Sequence, residues 1–162
     1  MLSELVADRS QGVQRRGAAS SLAWIHMSRD VAHETRRFWE EAFNGRDLSV
    51  LDDLIADEYE NEAALPGTAP GPSGQAAVFQ RLWAALRDAW FEIAHVAVDG
   101  DVSICIGTMS GTHVGELLGV PASGRRVEWR MCHLMRWDAE GRAVEHSAIR
   151  DDLDLKRQMG VL

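Results

Sequence analysis

The chain has 162 residues, 46% of them apolar and 26% charged, enough for one domain with a proper core. Its 17 basic and 25 acidic side chains leave a formal charge of −8, which argues against a nucleic-acid surface because an anionic backbone would be repelled. No apolar run reaches the length of a membrane-spanning helix, so no membrane partner is expected; Cys105 and Cys132 lie singly in apolar segments without metal-ligand spacing, as in a reduced, cytoplasmic protein.

Residues 1–27 are polar and small-residue-rich around Arg15 to Ser21, and the apolar Leu22 to Ile25 is too short for a signal-peptide core. They read as a flexible extension, leaving 28–162 as the folded domain. From Asp30 the pattern turns helical, with Val31, Phe38, Ala42 and Phe43 on one face and Asn44-Gly45 as the stop. Asp47 can cap a short second helix carrying Leu48, Leu51, Leu54 and Ile55. The acidic stretch 57–62 reads as a solvated loop, and the Pro/Gly-rich segment 65–72 as another. Ser73 then caps a third helix with Val78, Leu82, Trp83 and Leu86 on one side.

After Ala89 the period falls to two. Phe91 and Ile93 share one strand face and Val96 and Val98 the other, before a hairpin signal at Asp99-Gly100-Asp101. Strands over 102–113 and 125–137 follow, separated by a Gly/Pro/Ser loop at 115–124. A last strand runs to about Arg150, and a short helix carries Leu153, Leu155 and Met159. Helices followed by a meander predict an α+β fold in which a curved, mixed or antiparallel sheet wraps around helices.

The chain lacks a Gly-x-Gly-x-x-Gly fingerprint, a phosphate-binding loop, a Gly-x-Ser-x-Gly elbow and a His-Glu-x-x-His pair, so nucleotide chemistry, serine hydrolysis and zinc proteolysis lose their usual supports. No residue cluster calls for a metal or a cofactor. His133 shares a strand face with Val127, Trp129, Met131 and Met135, an apolar set, while Glu128, Arg130 and Arg136 occupy the other. In the last strand Glu145, Ser147, Ile149 and Asp151 share one face and Val144, His146, Ala148 and Arg150 the other. Asp151 reaches the first group's side unless a bulge intervenes, and either Asp151 or Asp152 could cap the final helix. His33, His95 and His146 are given no role.

Gly111-Thr112-His113-Val114-Gly115-Glu116, then Gly124-Arg125-Arg126-Val127, then Glu145-His146-Ser147 with Asp151 and a Gln158-Met159-Gly160 close, follow one another in an order and spacing that resembles the SnoaL-like polyketide cyclases. These are cone-shaped proteins sharing a fold with ketosteroid isomerase. The resemblance covers roughly residues 30–162. It implies a homodimer and a cofactor-independent cyclase or isomerase acting on a hydrophobic, polycyclic or polyketide-like small molecule by enolate formation and intramolecular aldol closure. It makes Asp151 the general base; His133, if its apolar strand face lines the cone, and Glu62 are read as acid–base partners, and His113, a landmark of the family motif, with Trp129, Trp83, Phe38 and Met131 as the substrate-binding wall. Glu62 departs from the family pattern, which has a histidine there. Two pocket carboxylates would open water addition, epoxide opening or assistance to a hydroxylation as alternatives. An inward Arg130 would favour epoxide opening, and an exposed Asp151 and Glu62 would favour a protein that binds a hydrophobic ligand without transforming it.

Overall fold

The computed structural model describes residues 29–162; the extension expected over 1–27 lies outside the described residues. Helix α1 (Val31–Arg37) starts where Asp30 caps it, its carboxylate accepting from the backbone N–H of Ala32 and His33. It continues as a π-helical stretch, Phe38–Asn44. The π turn closes i→i+5 hydrogen bonds, so each residue rotates through a smaller angle than in an α-helix. Trp39 therefore joins Phe38, Ala42 and Phe43 on the buried side, which the α-helical spacing had not included.

Asp47 caps as expected, but what it starts is a 3₁₀ turn, Leu48–Val50, followed by the one-turn helix α2 (Leu51–Leu54). Ile55 then opens strand β1 (Ile55–Asn61). This corrects the reading of 57–62 as a solvated loop. Ile55, Ala56 and Tyr59 are buried while Asp57, Glu58 and Glu60 face solvent, and a register shift between Ile55 and Glu60 breaks the alternation that would have announced the strand. Helix α3 (Gly71–Ala85) begins two residues before the Ser73 cap, with Pro70 at its N-cap and Pro72 in the first turn.

Strands β2 (Leu86–Asp99), β3 (Val102–His113), β4 (Arg126–Trp137) and β5 (Ala143–Arg150) form an antiparallel meander, and helix α4 (Asp152–Met159) closes the domain. The sheet order is β1-β5-β4-β3-β2, with β1 running parallel to β5. The sheet is thus mixed, curved and open, an α+β architecture with helices packed on one face. Register shifts at Arg87/Trp90 and Ile93/His95 bend β2. The second places Val96 opposite the buried Cys105, moving it from the face that strict alternation assigned.

The core lies between the π-helical stretch, α3 and the inner sheet face, with Phe38, Phe43, Phe79, Phe91, Met109 and Met135 fully enclosed. Gly107 on β3 is needed there. A Cβ at that position would run into the Phe91 ring and the Glu92 carbonyl, so the missing side chain is what lets the Phe91 ring lie across the sheet. Among the described residues no helix is long and apolar enough to cross a membrane.

Candidate functional site

Strand β4 alternates as its sequence predicts: Val127, Trp129, Met131, His133, Met135 and Trp137 are buried, and Glu128, Arg130 and Arg136 exposed. His133 stands opposite Cys105 on β3 and Ala148 on β5. Its neighbour on the inner face is His146, whose Nε2 lies 2.9 Å from His133 Nδ1. Trp39 packs on the His133 ring at 4.4 Å between centroids, Phe91 meets it edge-on at 5.3 Å, and Phe38 meets His146 at 6.1 Å.

The two histidines thus share one hydrogen bond inside an aromatic box, and their other ring nitrogens, His133 Nε2 and His146 Nδ1, are buried without a protein partner. Trp39 Nε1 and Trp129 Nε1 are unpartnered too. Each buried, unsatisfied polar group costs about 1–3 kcal/mol. A native core rarely leaves several such atoms unpaired, and each is a candidate to meet a ligand.

Electrostatics keep the pair neutral. Burial pushes His146 down to about 4, with the Arg150 cation adding to the effect. Burial holds His133 well below the ordinary histidine range, reinforced by His146 and Arg150. The buried carboxylate among the described residues is Glu34, tied to Arg37 at 2.8 Å.

The other expected site residues fall in different places. Asp151 is exposed and caps α4, accepting from the Asp154 backbone N–H at 3.0 Å. The reason is parity: Arg136 pairs with Glu145 on the outer face (2.9 Å), so Glu145, Ser147, Ile149 and Asp151 point outward and His146 points in. The β4–β5 register runs unbroken from Arg136/Glu145 to Met131/Arg150, so no bulge returns Asp151 to the interior. It is this register, which strand alternation alone does not supply, that puts His146 on the inner face. Glu62 is exposed on the wall of a cleft of about 420 Å³ formed by the segment 60–70. The Glu62 link to the histidines is through the backbone, its N–H donating to the His146 carbonyl at 2.9 Å.

His113 is fully buried and braces the 114–124 loop: its Nδ1 accepts from the Ser123 backbone N–H at 3.2 Å. That fixes the proton on Nε2, which is buried and unpartnered. Trp129 and Met131 flank His133 on the inner face, and Phe38 reaches His146. Trp83 is farther off, against Phe43 and Phe79, with the Arg46 guanidinium 4.9 Å above its ring. Arg130 is exposed on the outer face, away from the position that epoxide opening would require. Among the described residues no three His, Cys, Asp or Glu side chains gather to hold a metal ion.

A sequence model of the family described as SnoaL-like polyketide cyclase matches residues 33–159. Over 123 residues the chain is 32% identical to the aklanonic acid methyl ester cyclase DauD of Streptomyces sp. (strain C5), covering 74% of this chain and 76% of that protein. It is also 32% identical to the aklanonic acid methyl ester cyclase DnrD of Streptomyces peucetius, covering 74% and 84%. Among solved structures, TsrD from Streptomyces laurentii superposes with a TM-score of 0.74 at 30% identity, covering 82% of this chain and 96% of that one.

Proposed function

Because the chain belongs to the SnoaL-like polyketide cyclase family, we propose that it closes a ring in a polyketide-like methyl ester by acid–base chemistry on a carbon acid, with His133 handling the proton. The observation that carries this reading is the unpartnered His133 Nε2 inside the aromatic box.

A C–H between two carbonyls loses its proton to a base held in place, here the free imidazole nitrogen, and leaves an enolate. Trp129, Met131 and Phe38 supply the apolar wall that holds the chain folded, so that the enolate carbon reaches a second carbonyl within the same molecule. Aldol attack forms the ring and places negative charge on oxygen, where a donor in a dry site has its largest effect. The exposed Asp151 cap is assigned a structural part in this scheme.

The half-buried Ile104, Ile106 and Leu134 and the exposed Ile149 give the outer sheet face an apolar strip. We assign that strip to a second copy of the chain, the isologous pairing that an uncovered sheet face favours.

The exposure of Asp151 and Glu62 is the one observation favouring a binding-only protein, and solvent-deuterium exchange decides the matter. β-Keto methyl esters are incubated in D₂O with the wild type, His133→Gln and Asp151→Asn. We expect enzyme-dependent exchange at the carbon between the carbonyls, slower by about a hundredfold in His133→Gln and retained in Asp151→Asn, whose amide oxygen still caps α4. Esters that bind the wild type without exchanging refute the enolate chemistry and leave ligand binding.

A further inference from the structure

The His133–His146 hydrogen bond has a property that neither ring has alone. Nitrogen-to-nitrogen contact at 2.9 Å between two neutral rings requires one nitrogen to donate and the other to accept. If His133 Nδ1–H donates, His133 Nε2 is a bare acceptor and His146 must carry its remaining proton on Nδ1. If His146 Nε2–H donates, the roles reverse. In both states the pair presents one free acceptor at one end and one free donor at the other, and the two ends are the buried nitrogens that lack partners.

We propose that His133 and His146 form a two-ended proton relay, which takes the substrate's carbon-bound proton at His133 Nε2 and delivers a different proton from His146 Nδ1 to the oxygen that the aldol step makes negative. This rests on the proposed cyclase reading and makes His146 a catalytic residue, although sequence reasoning gave it no role. The balance is complete. The C–H bond breaks and its electron pair stays with the substrate as the enolate. The proton bonds to His133 Nε2, the His133 Nδ1 proton passes to His146 Nε2, and the His146 Nδ1 proton goes to the new alkoxide. The substrate has moved one proton from carbon to oxygen, and both rings have switched tautomer. When product leaves, loss of the His133 Nε2 proton to water, return of the shared proton from His146 Nε2 to His133 Nδ1, and gain of one proton at His146 Nδ1 restore the starting state.

The surroundings favour relaying over storing. Trp39, Phe91 and Phe38 pack on the rings, and the charged group acting on both is the Arg150 cation, so an imidazolium is disfavoured at either position. A single histidine there would have to hold a positive charge between the two proton transfers. The coupled pair stays neutral as the proton enters at one end and leaves at the other.

The test separates the two ends. In His146→Gln the amide oxygen can still accept from His133 Nδ1, but nothing can pass the proton onward. With a β-keto methyl ester carrying a second ketone along its chain, His146→Gln should slow carbon-proton exchange by less than about tenfold and ring closure by about a hundredfold or more. His133→Gln should lose both. Equal losses in His146→Gln, or ring closure at the wild-type rate, overturn the relay while leaving the cyclase reading intact. An independent readout needs no substrate: ¹⁵N spectra of histidine-labelled wild type should show both rings neutral at pH 7 and in the same tautomer. Opposite tautomers, or a protonated ring, refute the relay. Failure of the wild type to exchange or cyclise the ester, with matching tautomers observed, counts against the cyclase reading alone.

Discussion

Acid should unfold this protein through its histidine pair before its carboxylates are involved. The folded chain binds a proton on His146 only near pH 4, whereas the unfolded chain binds one at about 6.5. Throughout that interval the unfolded state holds more protons, so stability is full above 6.5 and falls as the pH drops toward 4. Each pH unit is worth about 1.4 kcal/mol per proton, so His146 alone removes about 3 kcal/mol across the window. His133, shifted in the same direction, adds to the loss. Against a total stability of about 5–15 kcal/mol for a typical domain, that is a large fraction. Asp53, held below its ordinary value by Arg29 and Arg37, also loses its contribution on acidification, but only as the pH falls below 3.8, a separate window. Urea unfolding followed by tryptophan fluorescence between pH 7 and about 4.5 measures the slope, and His146→Gln should reduce it substantially because glutamine does not titrate. A wild-type stability that is flat across this range, or a slope that His146→Gln leaves unchanged, refutes the reasoning.

Two further outcomes follow from the packing. Gly107→Ala should destabilise the protein by about 1–3 kcal/mol and displace the Phe91 ring from His133, which thermal melts and the His133 ring shifts would register together. The Cys105 thiol, pushed up to about 12 by burial, should remain unmodified by a maleimide at pH 8 in the native protein and react on unfolding, as mass spectrometry of the modified peptide would show.

The sheet was largely legible because β3 and β4 alternate cleanly: 102–113 and 125–137 match the strands observed to within a residue, and the apolar set around His133 is the inner face. The fold class followed from that meander and from the helices before it. What escaped was each place where periodicity breaks. Tyr59 sits in an acidic stretch whose register slips, so β1 looked like loop. The bulge after Ile93 moves Val96 across the sheet, and the π turn brings Trp39 inward. At the site, His133 could be placed from its own strand, but its partner could not. His146 lies on one face of β5 and Asp151 just past its end with the parity of the other, and only the pairing of Glu145 with Arg136 says which face is inside. Asp151 shows the general difficulty that an aspartate before a short helix serves equally well as a cap or as a base, and residue identity does not distinguish them.

The placement of β5 has a consequence for the order in which the molecule is made. It is the last strand in the chain but lies between β1 and β4 in the sheet, so β1 leaves the ribosome long before the strand it pairs with among the described residues. Until β5 arrives, the β2–β4 hairpins can form from local contacts, while β1 has no neighbour and the aromatic interior stays open on that side. His146 enters with the same strand. The histidine pair is therefore assembled in the closing step of folding, and a nascent chain that has not inserted β5 carries an unpaired edge, exposed apolar surface and a lone His133, the state in which chaperone binding or aggregation competes with completion.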